Sequence, residues 1–270
     1  MLYNICMKFL QKSPSKQITS LIKLNKIALV LHLVQGIAMV WLVQAVGVDA
    51  SYDVTVNYLS FNQATESLQP ATNVLFSINF AWLVASFMFM SALAHLSIVT
   101  WYKKEYVSDL ALGINKARWI EYSLSASTMM VAIALLSGMQ DLASLVMIFA
   151  LVAGMNLMGL VMEVANQGKK KPDWLSFVIG CILGIVPWVA FGIYVWAANA
   201  YSVNGVPGFV YGIYASIFVF FNCFAINMYL QYKKIGKWAD YLYGERVYII
   251  LSLLAKSALA WQVYAGVFQP

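Results

Sequence analysis

The sequence predicts an all-α membrane protein: a bundle of seven transmembrane helices with a small outer β-hairpin. Three observations predict it. Hydrophobic residues fill 62% of the 270 positions and charged residues 10%, where soluble domains carry about a quarter charged. Seven apolar segments follow one another, at about 26–47, 73–101, 115–138, 142–165, 174–200, 208–232 and 246–268, each near the roughly 20 residues that cross a bilayer. Basic residues occupy only alternate connections. In lipid a helix satisfies its own backbone, so each segment reads as a helix. The spans leave little over for a soluble domain, and residues 1–270 read as a single membrane domain.

The charges set the orientation. Lys8, Lys12, Lys16, Lys23 and Lys26 precede the first span. Lys103, Lys104, Lys116 and Arg118 flank the second connection, Lys169, Lys170 and Lys171 the fourth, and Lys233, Lys234, Lys237 and Arg246 the sixth. Of the 17 Lys and Arg residues only Lys256 lies elsewhere. By the positive-inside rule the N-terminus is cytoplasmic and the C-terminus extracellular in a multi-pass cell-membrane protein. Lysines flanking spans account for the net charge of +6, so no nucleic-acid partner is expected. The lipid bilayer is the expected partner.

Taken in order, residues 1–25 form a cytoplasmic segment without the pattern of a signal peptide. Ile18–Lys23 fits a short helix on the inner surface or a plain tail. The first span carries His32, about six residues from its cytoplasmic end. The connection at 48–71 is the one long loop, and the alternation in Val54–Leu59 predicts a strand, half of an outer hairpin. The second span runs the other way and puts His95 at a similar depth to His32. The third carries Arg118, Glu121 and Ser125, the last two four residues apart on one face. The fourth carries Met155, Asn156, Met158 and Gly159, then Glu163 near its cytoplasmic end. In the fifth, Gly180 and Gly184 form a small-residue packing motif, and Trp188, Phe191 and Tyr194 share a face. In the sixth, Phe218 and Phe221 are three apart. Such stripes suit ordinary packing, and they also suit a flat slot for an extended conjugated ligand, with thioethers filling gaps. Cys6, Cys181 and Cys223 predict free thiols, no disulfide and no metal site.

The seventh span holds the residue that points to chemistry. Lys256 follows Arg246 at the mouth of the span by ten residues, so it lies roughly 15 Å deeper at about 1.5 Å per residue. That is near the middle of a hydrocarbon core of about 30 Å, where a lysine costs about 2.5–3.5 kcal/mol on insertion scales. An amine in apolar surroundings is a nucleophile able to form a Schiff base with an aldehyde. Ser252 precedes it by one turn on the same face. Glu121 is the candidate partner, since a close pair satisfies both buried charges. Other polar residues have two readings. His32 and His95 fit interhelical ties as well as proton carriers. Arg118 fits a positive-inside anchor as well as a cavity residue, and Glu163 fits an interfacial charge.

Leu251–Tyr264 resembles the seventh helix of the heliorhodopsins, a family of retinal proteins distinct from ion-pumping microbial rhodopsins. Arg118-Trp-Ile-Glu-Tyr-Ser-Leu-Ser-Ala126 resembles that family's third helix and Phe218–Asn227 its sixth, and the inside N-terminus agrees with its inverted topology. The resemblance implies a rhodopsin-like fold, with all-trans retinal on Lys256 as a protonated Schiff base and Glu121 as counterion. It places His32, His95, Ser91, Tyr122, Ser125 and Ser252 around a cytoplasmic-side polar cavity, and Met155, Asn156, Trp188 and Phe221 at the pocket. It also implies a homodimer with the 48–71 hairpin at the contact.

The expected function is light sensing without net ion pumping, passing a slow conformational change to an unidentified cytoplasmic signalling partner. A pump needs ionisable groups on both sides of the imine, and the spans offer almost none between Lys256 and the outside. No enzymatic activity is expected. Two other readings stand beside this one. The first is a light-gated ion or proton channel. The second is a seven-helix transporter or receptor for a soluble ligand, with Lys256 as a substrate-binding charge.

Overall fold

The computed structural model describes residues 16–47, 50–203 and 205–268; Cys6, Lys8 and Lys12 lie outside them. In chain order the elements are α1 (Lys16–Val46), β1 (Ser51–Asn62), β2 (Ser67–Asn79), α2 (Phe80–Val99), α3 (Lys103–Ala111), α4 (Lys116–Leu136), α5 (Leu142–Ala165), α6 (Leu175–Tyr201), α7 (Gly208–Tyr232) and α8 (Tyr241–Val263). A π turn, Tyr264–Phe268, extends α8. Seven of the helices, all but α3, are long and apolar enough to cross a membrane.

Side-chain caps mark where four of these helices begin. Asn79 accepts from the Trp82 amide before α2, Asn115 from Arg118 before α4, Asp141 from Ser144 before α5, and Asp240 from Leu242 before α8. Each satisfies an amide that has no partner within the helix. The caps correct two sequence boundaries. The second span starts at Phe80 rather than 73, because the apolar run Val74–Phe76 belongs to a strand. The seventh helix starts at Tyr241 rather than 246, because Asp240 caps it one turn earlier. Ile18–Lys23 is no separate surface helix; it is the first part of α1, with Leu21 buried at 1% exposure.

β1 and β2 form the expected hairpin, antiparallel from Ser51 opposite Asn79 to Asn62 opposite Ser67, with a bulge between Val54 and Thr55. It is fastened to the bundle beside Asp141: the Thr55 amide donates to the Gln140 carbonyl at 2.9 Å, and the Asn57 amide to Asp141 Oδ1 at 3.2 Å. Val54 enters the core. On the hairpin side the core is apolar, with Met129, Met130, Ile133, Leu259, Val263 and Phe268 all in one cluster. The opposite end, which carries the lysines, holds most of the buried polar groups. Val30, Val34, Ile37 and Trp41 of α1 face outward, as lipid contact requires.

Candidate functional site

The site is built on three neighbouring helices. Lys256 of α8 is 2% exposed, and its Nζ donates to Glu121 Oε1 of α4 at 2.6 Å and to Ser252 Oγ, one turn earlier, at 3.0 Å. From α2, Ser91 donates to the same Glu121 oxygen at 2.6 Å. Tyr122, next to Glu121, turns its ring toward Lys256 Nζ at 5.3 Å, and Ser125 is fully buried one turn along α4. Two opposite charges are thus sealed in an apolar bundle, each supplied with further polar partners, as a buried ion pair requires.

His32 and His95 stack beside this pair, with ring centroids 5.6 Å apart. His95 Nδ1 is 2.8 Å from Asn25 Oδ1. Asn25 Nδ2 in turn donates to the Tyr106 hydroxyl at 3.3 Å. Tyr106 belongs to α3, outside the spans, and burial pushes its phenol up to about 12, which keeps it a proton donor at neutral pH. A polar path therefore runs from His95 through Asn25 to Tyr106, toward the lysine-rich end.

Arg118 does not join that path. Three residues before Glu121 on α4 it faces another way, and it pairs with Glu163 of α5 and Glu245 of α8. Glu163 is correspondingly no interfacial charge: it is 1% exposed. Glu245 gives little signal in the sequence, because it adjoins Arg246 at the mouth of a span and looks like an ordinary flanking charge. The one hint was a second carboxylate, after Asp240, among flanking charges that are otherwise basic.

From Lys256 a cleft extends between α4, α5, α6, α7 and α8. Of the residues expected there, Met155, Asn156, Phe221 and Ser252 line it. Trp188 and Phe218 do not; Trp188 packs against Phe221 with centroids 5.8 Å apart and against Phe218 at 5.1 Å. Phe224, Phe177 and Trp119 line the cleft and were missed, since isolated aromatics in a span look like packing. Gly159 is also part of the wall: a Cβ there would lie 2.3 Å from the Trp119 ring, so only glycine lets the indole seat. Asn156 donates to the Val152 carbonyl of its own helix at 2.8 Å. Cys181 and Cys223 are free thiols, and Cys181 reaches the cleft.

Seven spanning helices enclosing a lysine–carboxylate pair and an aromatic cleft define a rhodopsin-like membrane protein, and the solved structures it resembles have that fold. Exiguobacterium sibiricum rhodopsin is 14% identical, with a TM-score of 0.63 over 95% of this chain and 98% of that one. A light-driven proton pump from Leptosphaeria maculans is 16% identical, with a TM-score of 0.61 over 92% and 95%. A cyanorhodopsin from the cyanobacterium Tolypothrix sp. is 13% identical, with a TM-score of 0.57 over 91% and 95%. No curated protein matches the sequence. The family profile of the heliorhodopsins matches residues 21–268, and the chain belongs to that family.

Proposed function

We propose that this protein is a light sensor that carries all-trans retinal on Lys256 as a protonated Schiff base, with Glu121 as its counterion, and that it signals by a slow conformational change without net ion pumping. Membership of a rhodopsin family implies the retinal chromophore. The observation that carries the reading is the Lys256–Glu121 pair standing at the inner end of an apolar, aromatic cleft. The donor set fits: one amine to condense with an aldehyde, one carboxylate to balance the resulting cation, and walls of Phe, Trp and Met for a conjugated chain.

Bound there, retinal supplies absorption of visible light and a light-driven change of shape next to Glu121. The protein's residues do the rest. Glu121 stabilises positive charge at the Lys256 nitrogen, while Ser91 and Ser252 fix the geometry of carboxylate and nitrogen. His32 and His95 form the store that takes up a proton leaving that nitrogen and returns it. The apolar core on the hairpin side supports recycling over transport, since a pump needs relays on both sides. The basic residues support a cytoplasmic N-terminus, and the hairpin fits a homodimer contact.

The test is pigment formation. Lys256→Ala is expected to give folded protein that forms no visible pigment with all-trans retinal, while the wild type forms one that borohydride reduces onto the chain. A stable, borohydride-reducible pigment in the variant would overturn the assignment. A steady photocurrent in voltage-clamped cells, with a reversal potential that follows pH, would replace sensing with transport.

A further inference from the structure

A second buried charge cluster lies at the basic end, where α4 begins, α5 ends and α8 begins. The Arg118 guanidinium sits 3.9 Å from the centroid of the Tyr248 ring and pairs with both Glu163 and Glu245; side-chain exposure is 4% for the arginine and 0% for each glutamate. Two carboxylates and one guanidinium leave one negative charge over. An uncompensated charge in a buried interior is among the most costly arrangements a fold can hold. Among the described residues, the other groups facing the cluster supply no cation: Asn115, which caps α4, Trp119 from α4, Tyr232 from α7, and Tyr241 and Tyr248 from α8. Arg246, the next residue after Glu245, reaches Ser20 instead.

The two carboxyl groups are served differently. Glu163 takes four donors. Its Oε1 accepts from Arg118 Nη2 and from the Tyr241 hydroxyl at 3.2 Å; its Oε2 accepts from the Asn115 amide at 2.9 Å and from Trp119 Nε1 at 2.7 Å. Two donors on each oxygen match the acceptor capacity of an ionised carboxylate. Glu245 takes two, Arg118 Nη1 on one oxygen and Asn115 Nδ2 on the other at 2.7 Å. The side chain of Gln231 packs on Gly244, the residue before Glu245 in the chain, and Gln231 Oε1 is a buried acceptor without a partner among the described residues.

We propose that the Arg118–Glu163–Glu245 cluster is a proton-binding site separate from the Lys256–Glu121 pair, with Glu163 ionised and the proton resident on Glu245. The proton brings the cluster to neutrality and explains why two carboxyls and a single guanidinium coexist in a buried site. Tyr122 and Tyr248 join the two centres: the Tyr122 hydroxyl donates to the Tyr248 carbonyl at 3.0 Å, while the Tyr122 ring faces Lys256 and the Tyr248 ring faces Arg118. The proposal does not depend on the retinal reading.

The experiment is infrared spectroscopy of the purified full chain without retinal at neutral pH, prepared in H2O and in D2O. The wild type is expected to show one carboxylic-acid C=O band that moves down in D2O. Glu245→Gln removes it, Glu245→Asp displaces it, and Glu163→Asp leaves it in place. A wild type with no such band overturns the proposal, because both carboxyls are then ionised. A band displaced by Glu163→Asp and not by Glu245→Asp overturns the assignment to Glu245. Should the variants not fold, carbon-13 NMR of wild type with side-chain-labelled glutamate decides: one protonated carboxyl supports the site, and none overturns it.

Discussion

Removing Glu121 alone and removing it together with Lys256 should have very different consequences in the retinal-free protein. The two charges are 2.6 Å apart with side chains 3% and 8% exposed. At an effective dielectric of about 20 their attraction is roughly 6 kcal/mol, offset by a desolvation penalty of several kcal/mol for each ion. The intact pair is therefore near neutral for stability, and a half-pair is not. Glu121→Gln leaves the Lys256 ammonium buried with Ser252 alone from its hydrogen-bond partners, and the expected loss is about 3–5 kcal/mol. For a chain of this size that is a fall of roughly 6–20 °C in Tm. Lys256→Met strands the carboxylate with only Ser91 of those two donors and costs a similar amount. The double variant recovers most of the loss, because neither charge remains. The assay is thermal unfolding of all four proteins in one detergent at one pH, read as a double-mutant cycle. Additive losses, with a coupling below about 0.5 kcal/mol, would refute the argument that the pair is one interacting unit.

Three further outcomes are expected. Backbone donors from Ser144 and Asn57 hold the Asp141 carboxyl below its usual range. Its clamp on the hairpin is thus complete above the unfolded value of about 3.9 and lost as pH falls through the lower folded one; hydrogen exchange at the Thr55 and Asn57 amides should accelerate only at that acid extreme. Gly159→Ala should destabilise by about 1–3 kcal/mol through overpacking against Trp119, measured as Tm, because the indole is tied to Glu163 and does not swing away. His32→Ala with His95→Ala should alter the kinetics of Schiff-base deprotonation and recovery in flash photolysis; unchanged kinetics would make the stacked rings purely structural ties.

The spans and the hairpin were legible in the sequence because hydropathy and strand alternation are local signals. So were Lys256, Glu121 and Ser252, since depth along a helix follows from counting residues and a charge at mid-depth stands out. The boundaries at Phe80 and Tyr241 were not, because Val74–Phe76 is as apolar as any membrane segment and a cap at Asp240 is one residue among polar neighbours. Arg118 and Glu163 were visible, but their partnership was not: it depends on which way three helices face, and a periodicity read from one helix at a time does not give rotation. Glu245 was hidden for the same reason, and Phe224 and Phe177 because nothing local separates a cleft wall from a helix contact.

Helix α4 holds Arg118 and Glu121 three residues apart, a rise of only about 4.5 Å along its axis. One of these side chains is gripped by Glu163 and Glu245, the other by Lys256 and Ser91. So short a stretch of continuous helix is a stiff rod with a handle at each end, and it has no slack in which to absorb a displacement. Any translation or twist of α4 at Glu121 would therefore carry Arg118 with it, and the grip of α5 and α8 at the basic face would have to loosen or follow.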